Sequence, residues 1–147
     1  MSYPTPNTQS FGVRDASLAS NDALPAAAST TVNGTAIDLG EITCHGARLE
    51  ACEALLSAPA LSNTVLPNTK TMTYSIEGSE LANFASKSTL AGSCIVQTGD
   101  GTGNAAAATT CRYKLPSNCP RYIRAVAVSG ANTTNAAALE MTLELLF

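Results

Sequence analysis

A cysteine and a histidine lie side by side in the sequence CHG, at Cys44, His45 and Gly46. A thiol beside an imidazole suggests nucleophilic catalysis, in which the imidazole removes the thiol proton. Neighbouring residues on a strand point to opposite faces, so an adjacent pair is poorly placed for that transfer. His45 is the only histidine in the chain, and we interpret it as a loop residue.

Other patterns that could support chemistry are incomplete. The stretch GDGTGN at 99–104 is rich in glycine, but no Lys-Ser/Thr pair follows it, as a phosphate-binding loop requires. A calcium loop needs several alternating acids, and Asp100 stands nearly alone. The cysteine spacings match no zinc site, and G-x-S-x-G is absent. We therefore predict no enzymatic activity, no metal and no cofactor.

The most patterned charged residues follow the turn KLPSNCP at 114–120. Arg121, Tyr122 and Arg124 begin the apolar stretch RYIRAVAVS. A guanidinium presents a planar fork of donors that can hold loop carbonyls or a carboxylate. The tyrosine can bury its ring while its hydroxyl binds a loop backbone group. We interpret these three residues as structural or interfacial, not catalytic.

Composition limits the possible partners. Charged residues make up 13% of the 147-residue chain, about half the usual share of roughly 25%. The net charge of −3 and the absence of a basic stripe argue against nucleic-acid binding. No apolar run approaches the length of about 18 residues that a membrane helix needs. The sequence predicts no nucleic-acid and no membrane partner, no secretory signal, and five cysteines that are small thiols rather than a disulfide framework.

Strand patterns dominate the chain after its first quarter. Apolar and polar residues alternate in KTMTYSIE (70–77), TTCRYKL (109–115) and LEMTLELLF (139–147). This period of two is typical of a half-buried strand. Short strands are also predicted at 35–40, 93–98 and 121–129. The segment 1–33 is rich in Pro, Ser, Thr, Asn and Ala without a sustained period, so we predict an extended N-terminal arm, disordered or ordered on a partner.

Two segments have a different character. Propensity favours a helix over ARLEACEALLSAP (47–59), and SELANFA (79–85) could form one helical turn with Ser79 as N-cap. The many short strands with Gly, Pro and Asn between them still predict an all-β fold, a jelly roll or β-sandwich. We therefore expect two parts: the arm at 1–33 and a β jelly-roll domain at 34–147.

The order of these elements resembles a known family. The quoted features are GTAIDLG, TMTYSIEGSE, a Gly/Ala-rich loop, YKLPSNCPRYIRAVAVSG and a terminal amphipathic strand. Together, over about residues 30–147, they resemble the tailed-phage capsid cement (decoration) proteins typified by the cement protein of the Bordetella tropism-switching podovirus. The strongest similarity is the LP…PRYIR element. The resemblance implies a jelly roll, suggests a strand at 47–59, and implies no catalytic residues.

The resemblance also implies a function and partners. Such proteins lie on the outside of the phage head and link neighbouring major capsid protein subunits. We expect a structural virion protein made in the host cytoplasm, placed on the capsid exterior, and self-associated as a homodimer or homotrimer. The alternative is a head-fibre or tail module that binds host glycan. The absence of Trp, with only four Tyr and three Phe, weakens this alternative because sugar sites usually stack aromatic rings on sugars.

Overall fold

The fold is an antiparallel β-sandwich, seen in a computed structural model that describes residues 18–40, 52–101, 106–131 and 133–146. The described residues form nine strands: β1 (Ala19–Ala23), β2 (Thr31–Asn33), β3 (Ile37–Asp38), β4 (Glu53–Ala58), β5 (Thr71–Ser79), β6 (Lys87–Thr98), β7 (Thr109–Lys114), β8 (Tyr122–Ser129) and β9 (Glu140–Leu146). The all-β prediction is confirmed. None of the helices in the described part of the chain has the length and apolar character needed to cross a membrane.

The strands are divided between two sheets. The first sheet has the order β1-β9-β4-β7, and the second has the order β2-β8-β5-β6, with β3 also paired to β8. Every strand pair is antiparallel. β2 and β3 lie in succession along β8 and are separated by the short stretch 34–36. The two sheets enclose a single apolar core.

The predicted alternations place the core residues. On β5, Met72, Tyr74 and Ile76 are fully buried, and on β9 the same is true of Met141 and Leu143. β9 lies between β1 and β4, so the C-terminal strand is interior to its sheet, as its apolar face predicted. Phe147, the last member of that face, lies outside the described residues.

The buried tyrosine has a partner for its hydroxyl. Tyr74 donates to Gln97 Oε1 at 2.8 Å, and Gln97 Nε2 donates to the carbonyls of Pro59 and Ala107 at 2.8 and 2.9 Å. Burial raises the pKa of the Tyr74 phenol well above its ordinary value. Because these polar groups satisfy one another, the core can enclose them without the cost of an unpaired buried group. The network joins β5 and β6 to the chain segments that flank β4 and β7.

The predicted boundary of the N-terminal arm is wrong. Residues 19–23 form β1 against β9, and residues 31–33 form β2 against β8. The chain therefore belongs to the sandwich from Leu18 onward, although we predicted that the domain begins at residue 34. β1 escaped detection because it is an edge strand of mostly polar residues, ASNDA, with no apolar alternation. Residues 1–17 lie outside the described residues.

The structure also decides the two ambiguous segments. Residues 53–58 form strand β4, so the resemblance predicted this part correctly and helix propensity did not. Residues 47–51 lie outside the described part. The segment 79–85 is a turn instead of a helical turn: the Ser79 hydroxyl accepts the Leu81 N–H at 3.0 Å, and Phe84 has a left-handed φ of 53°. Ser79 therefore caps this turn and not the first turn of a helix.

Candidate functional site

The three residues singled out in the sequence lie at the start of β8, on the second sheet. Arg121 precedes the strand, and Tyr122 and Arg124 occupy its outward-facing positions, because Ile123 and Ala125 between and after them are fully buried. The preceding turn is closed by a hydrogen bond from Cys119 N to the Pro116 carbonyl at 3.0 Å. The two arginines therefore lie at one end of the sheet, directly after the proline-marked turn, as the sequence suggested.

Arg121 binds a carboxylate with both arms of its guanidinium. Its Nε and Nη2 donate to Asp38 Oδ1 and Oδ2, both at 2.8 Å. About half of each side chain is exposed. These bonds, and the N–H that Gly40 donates to Asp38 Oδ1, lower the pKa of the Asp38 carboxyl. The guanidinium carbon also lies 5.1 Å from the centre of the Tyr122 ring.

Arg124 makes a second and more buried ion pair. Its Nε and Nη2 donate to Glu77 Oε2 at 3.2 and 2.8 Å, and Lys87 Nζ donates to Glu77 Oε1 at 2.8 Å. The side chains of Arg124 and Glu77 are only 13% and 12% exposed. The Phe84 ring covers the guanidinium, with 4.1 Å between Arg124 Cζ and the ring centre. We call Glu77, Phe84, Lys87 and Arg124 the charged cluster.

Strand register explains why the charged cluster forms. Glu77 on β5 lies directly opposite Arg124 on β8, and Ser79 on β5 lies opposite Lys87 on β6. Opposite charges on facing positions of an antiparallel pair attract one another. Burial alone would raise the pKa of the Glu77 carboxyl, but the hydrogen bonds and charges of Lys87 and Arg124 lower it. Glu77 is therefore held as the carboxylate that balances both cations.

These contacts leave the arginines poorly suited to chemistry. Both guanidiniums are committed to carboxylates of the same chain, one to Asp38 and the other to Glu77. We had expected a carboxylate or loop carbonyls as their partners, and the carboxylates are the ones found. Sequence reasoning missed Asp38, Glu77, Lys87 and Phe84 as members of this region. The charge of Glu77 within the alternating strand TYSIEGSE could have indicated that it needs an ion-pair partner. Nothing in the nearby sequence identifies Arg124 as that partner.

The other end of the same outer face presents a line of uncharged strand residues in the described part of the chain. Thr31 on β2, Val128 on β8, Thr73 on β5 and Val96 on β6 form one continuous line across four strands, because each is the register partner of the next. Val96 and Val128 are 53% and 40% exposed, and they are two of the three large hydrophobic side chains most open to solvent in the described chain. We call these four residues the uncharged row.

No family model matches this chain, and no curated protein matches it. Among the described residues, no three His, Cys, Asp or Glu side chains are grouped so that they could hold a metal ion. His45 and Cys44 lie outside the described part. The geometry of the outer face therefore carries the functional interpretation.

Proposed function

We propose that this protein is a capsid cement (decoration) protein that binds the outer face of a phage head and links neighbouring major capsid protein subunits. The observation that carries the proposal is the uncharged row. Valines and threonines on a sheet face carry no charge that must lose its solvation when another protein covers them, and depletion of charge is typical of the centre of a protein interface. The sequence resemblance supplies the class of partner.

We also propose that the sandwich is a jelly roll. If β3 is set aside as a continuation of β2, eight strands remain. The first pairs with the last (β1 with β9), the second with the seventh (β2 with β8), the third with the sixth (β4 with β7), and the fourth with the fifth (β5 with β6). This nested pairing is expected when a long hairpin is rolled into two sheets, as in jelly rolls of viral capsids. It supports the resemblance, although a fold by itself does not determine function.

The proposed mechanism is mechanical and uses no catalytic residue. Each copy contributes one interface on the order of 800 Å² per partner, and repeated attachment over a lattice, or as a homodimer or homotrimer, multiplies a modest affinity through avidity. The charged cluster and the Arg121–Asp38 pair link strands of the second sheet to one another. On this proposal the protein resides on the exterior of the virion.

Binding to capsid shells tests the proposal directly. Shells assembled from the major capsid protein of the same genome are sedimented with the full chain, in wild-type form and with Val96→Glu or Val128→Glu. We expect co-sedimentation of the wild type and a loss of at least tenfold in affinity for each variant, because an unpaired charge is desolvated at the interface. Both positions are exposed, so the thermal midpoint is expected to stay within a few degrees.

Leu81→Glu is the matched control. Leu81 is 50% exposed, as open as the two valines, but it lies in the turn beside the charged cluster. We expect this variant to bind shells as the wild type does. Wild-type protein that does not sediment with shells, or that binds a glycan instead, contradicts the proposal. If both valine variants bind shells as tightly as the wild type does, the uncharged row is not the binding surface.

A further inference from the structure

Two cysteines lie where the edges of the two sheets meet. β6 is an edge strand of the second sheet and β7 is an edge strand of the first, and the chain passes directly from one to the other. Residue pairs of β6 and β7 have Cα atoms within 8 Å. Cys94 on β6 and Cys111 on β7 both pack against the core from this edge. Gln97 Nε2 of β6 donates to the Ala107 carbonyl just before β7 at 2.9 Å, so Cys94, three residues before Gln97, and Cys111, four residues after Ala107, lie on neighbouring stretches of the two strands. Their thiols donate to the carbonyls of Tyr74 and Arg112 at 3.5 and 3.9 Å.

A bulge in β6 turns Cys94 toward this position. Ala91 and Ile95 of β6 lie opposite Ile76 and Tyr74 of β5. Three residues, 92–94, lie between the two β6 positions, but only Ser75 lies between the two β5 positions. Ser93 adopts a left-handed φ of 47°, and its N–H donates to Ser75 Oγ at 2.9 Å. Simple alternation from the buried Ile95 would place Cys94 on the outer face. A bulge redirects the side chains beside it, and here it directs Cys94 to the core edge.

We propose that Cys94 and Cys111 are a disulfide site that joins the two sheets across the β6–β7 edge. The proposal rests on the placement of the two thiols and does not depend on the capsid function. Both are free in the structure, so the site is described in its reduced form. Closure would link strands that share no backbone ladder, and it would enclose the connection that runs from β6 to β7.

The reaction requires an oxidant, for which a low-molecular-weight disulfide such as oxidised glutathione is sufficient. The Cys111 thiolate attacks one sulfur of that disulfide, whose S–S bond breaks, and one small thiolate leaves and takes up a proton. Cys94 then loses its proton and attacks the Cys111 sulfur, which expels the second small thiolate. Two protein thiols become one disulfide, and the oxidant receives two electrons and two protons.

The order of these two steps follows from the surroundings of the thiols. Burial, and to a lesser degree the neighbouring Cys111 thiol, raises the pKa of the Cys94 thiol to about 12. A thiol is nucleophilic only as the thiolate, so Cys94 is a poor group to begin the exchange. Cys111 lies on an edge strand and is only partly buried, so Cys111 is the residue that meets the oxidant.

Peptide mapping of the full chain tests the proposal. No lysine or arginine lies between Lys87 and Arg112, so one tryptic peptide, 88–112, holds Cys94 and Cys111 and no other cysteine. After reduction and treatment with oxidised glutathione, we expect this peptide to become lighter by two hydrogen atoms and to resist alkylation. Cleavage before Asp100 leaves two fragments that separate only on reduction. The thermal midpoint is expected to rise by about 5–10 °C on closure.

Matched variants make the result specific. Cys119→Ala removes another buried thiol and is expected to leave closure unchanged, whereas Cys94→Ser and Cys111→Ser are each expected to abolish both the mass change and the rise in midpoint. The proposal is overturned if the wild-type peptide stays fully alkylated, if Cys111 stops at the mixed disulfide with glutathione, or if either cysteine pairs with Cys44 or with a second molecule.

Discussion

The two ends of the outer face of the second sheet are built from the same strands and have opposite characters. At one end, the charged cluster joins Glu77 of β5 to Arg124 of β8 and Lys87 of β6, and Phe84 folds over it. At the other end, the same three strands and β2 present the uncharged row, with its valines open to solvent. One end is completed by the chain's own side chains, and the other leaves two valines exposed, where we propose that a partner binds.

The cost of a substitution should differ sharply between the two ends. Glu77→Ala leaves Arg124 buried without its carboxylate, and breaking a buried pair in this way typically costs about 3–5 kcal/mol. We expect a loss of about 3 kcal/mol in the free energy of unfolding, measured by denaturant titration, because Lys87 is half-exposed and needs no replacement partner. The double variant Glu77→Leu, Arg124→Met should lose less than Glu77→Ala alone. A single variant as stable as the wild type would show that the cluster is incidental.

Acid should weaken the charged end before it affects the uncharged end. The pKa of Glu77 is lower in the folded protein than its ordinary value of 4.5, so the folded state binds fewer protons than the unfolded state around that pH. The stabilisation is then complete above pH 4.5 and is lost as the pH falls through the folded pKa. Thermal melts across this range should show a steeper fall for the wild type than for Glu77→Gln. Parallel curves would contradict the assignment.

The exposed Arg121–Asp38 ion pair should contribute less to the free energy of unfolding than the buried Arg124–Glu77 pair. Asp38→Asn removes the charge that Arg121 binds, but solvent screens both side chains, and exposed ion pairs contribute little. We expect a small decrease in the thermal midpoint, well below that of Glu77→Ala, and we expect added salt to abolish the difference from the wild type. A decrease equal to that of Glu77→Ala would show that the Arg121–Asp38 ion pair stabilises the fold as much as the buried pair does.

The uncharged end should show the smallest effect on folding. Val128→Thr keeps a β-branched side chain on a strand and alters a position that is 40% exposed, so the free energy of unfolding should change by no more than about 0.5 kcal/mol. Denaturant titration beside Glu77→Ala provides the comparison. A loss above 1 kcal/mol (about twice that limit) would mean that Val128 supports the fold and is not reserved for a partner.

The sequence predicted the strands with an alternating apolar face far better than the short, mostly polar strands. The alternations at 70–77, 109–115 and 139–147 correspond to β5, β7 and β9, because burial on one side of a sheet imposes a period of two. β1 and β2 were assigned to an arm, since a short edge strand needs few apolar residues. β4 had helix formers at strand positions, and burial between β7 and β9 outweighed their propensity.

The local sequence by itself determined where the chain alternates, where prolines and glycines end a strand, and that two arginines enter β8 after a rigid turn. These features depend on residues close together in the chain. Only the tertiary structure decided that Arg124 faces Glu77, that Thr31, Val128, Thr73 and Val96 form one row, and that Cys94 and Cys111 pack against the core at the same edge. Such pairings depend on register between strands distant in sequence, and a shift of one residue would have reversed which face each side chain occupies.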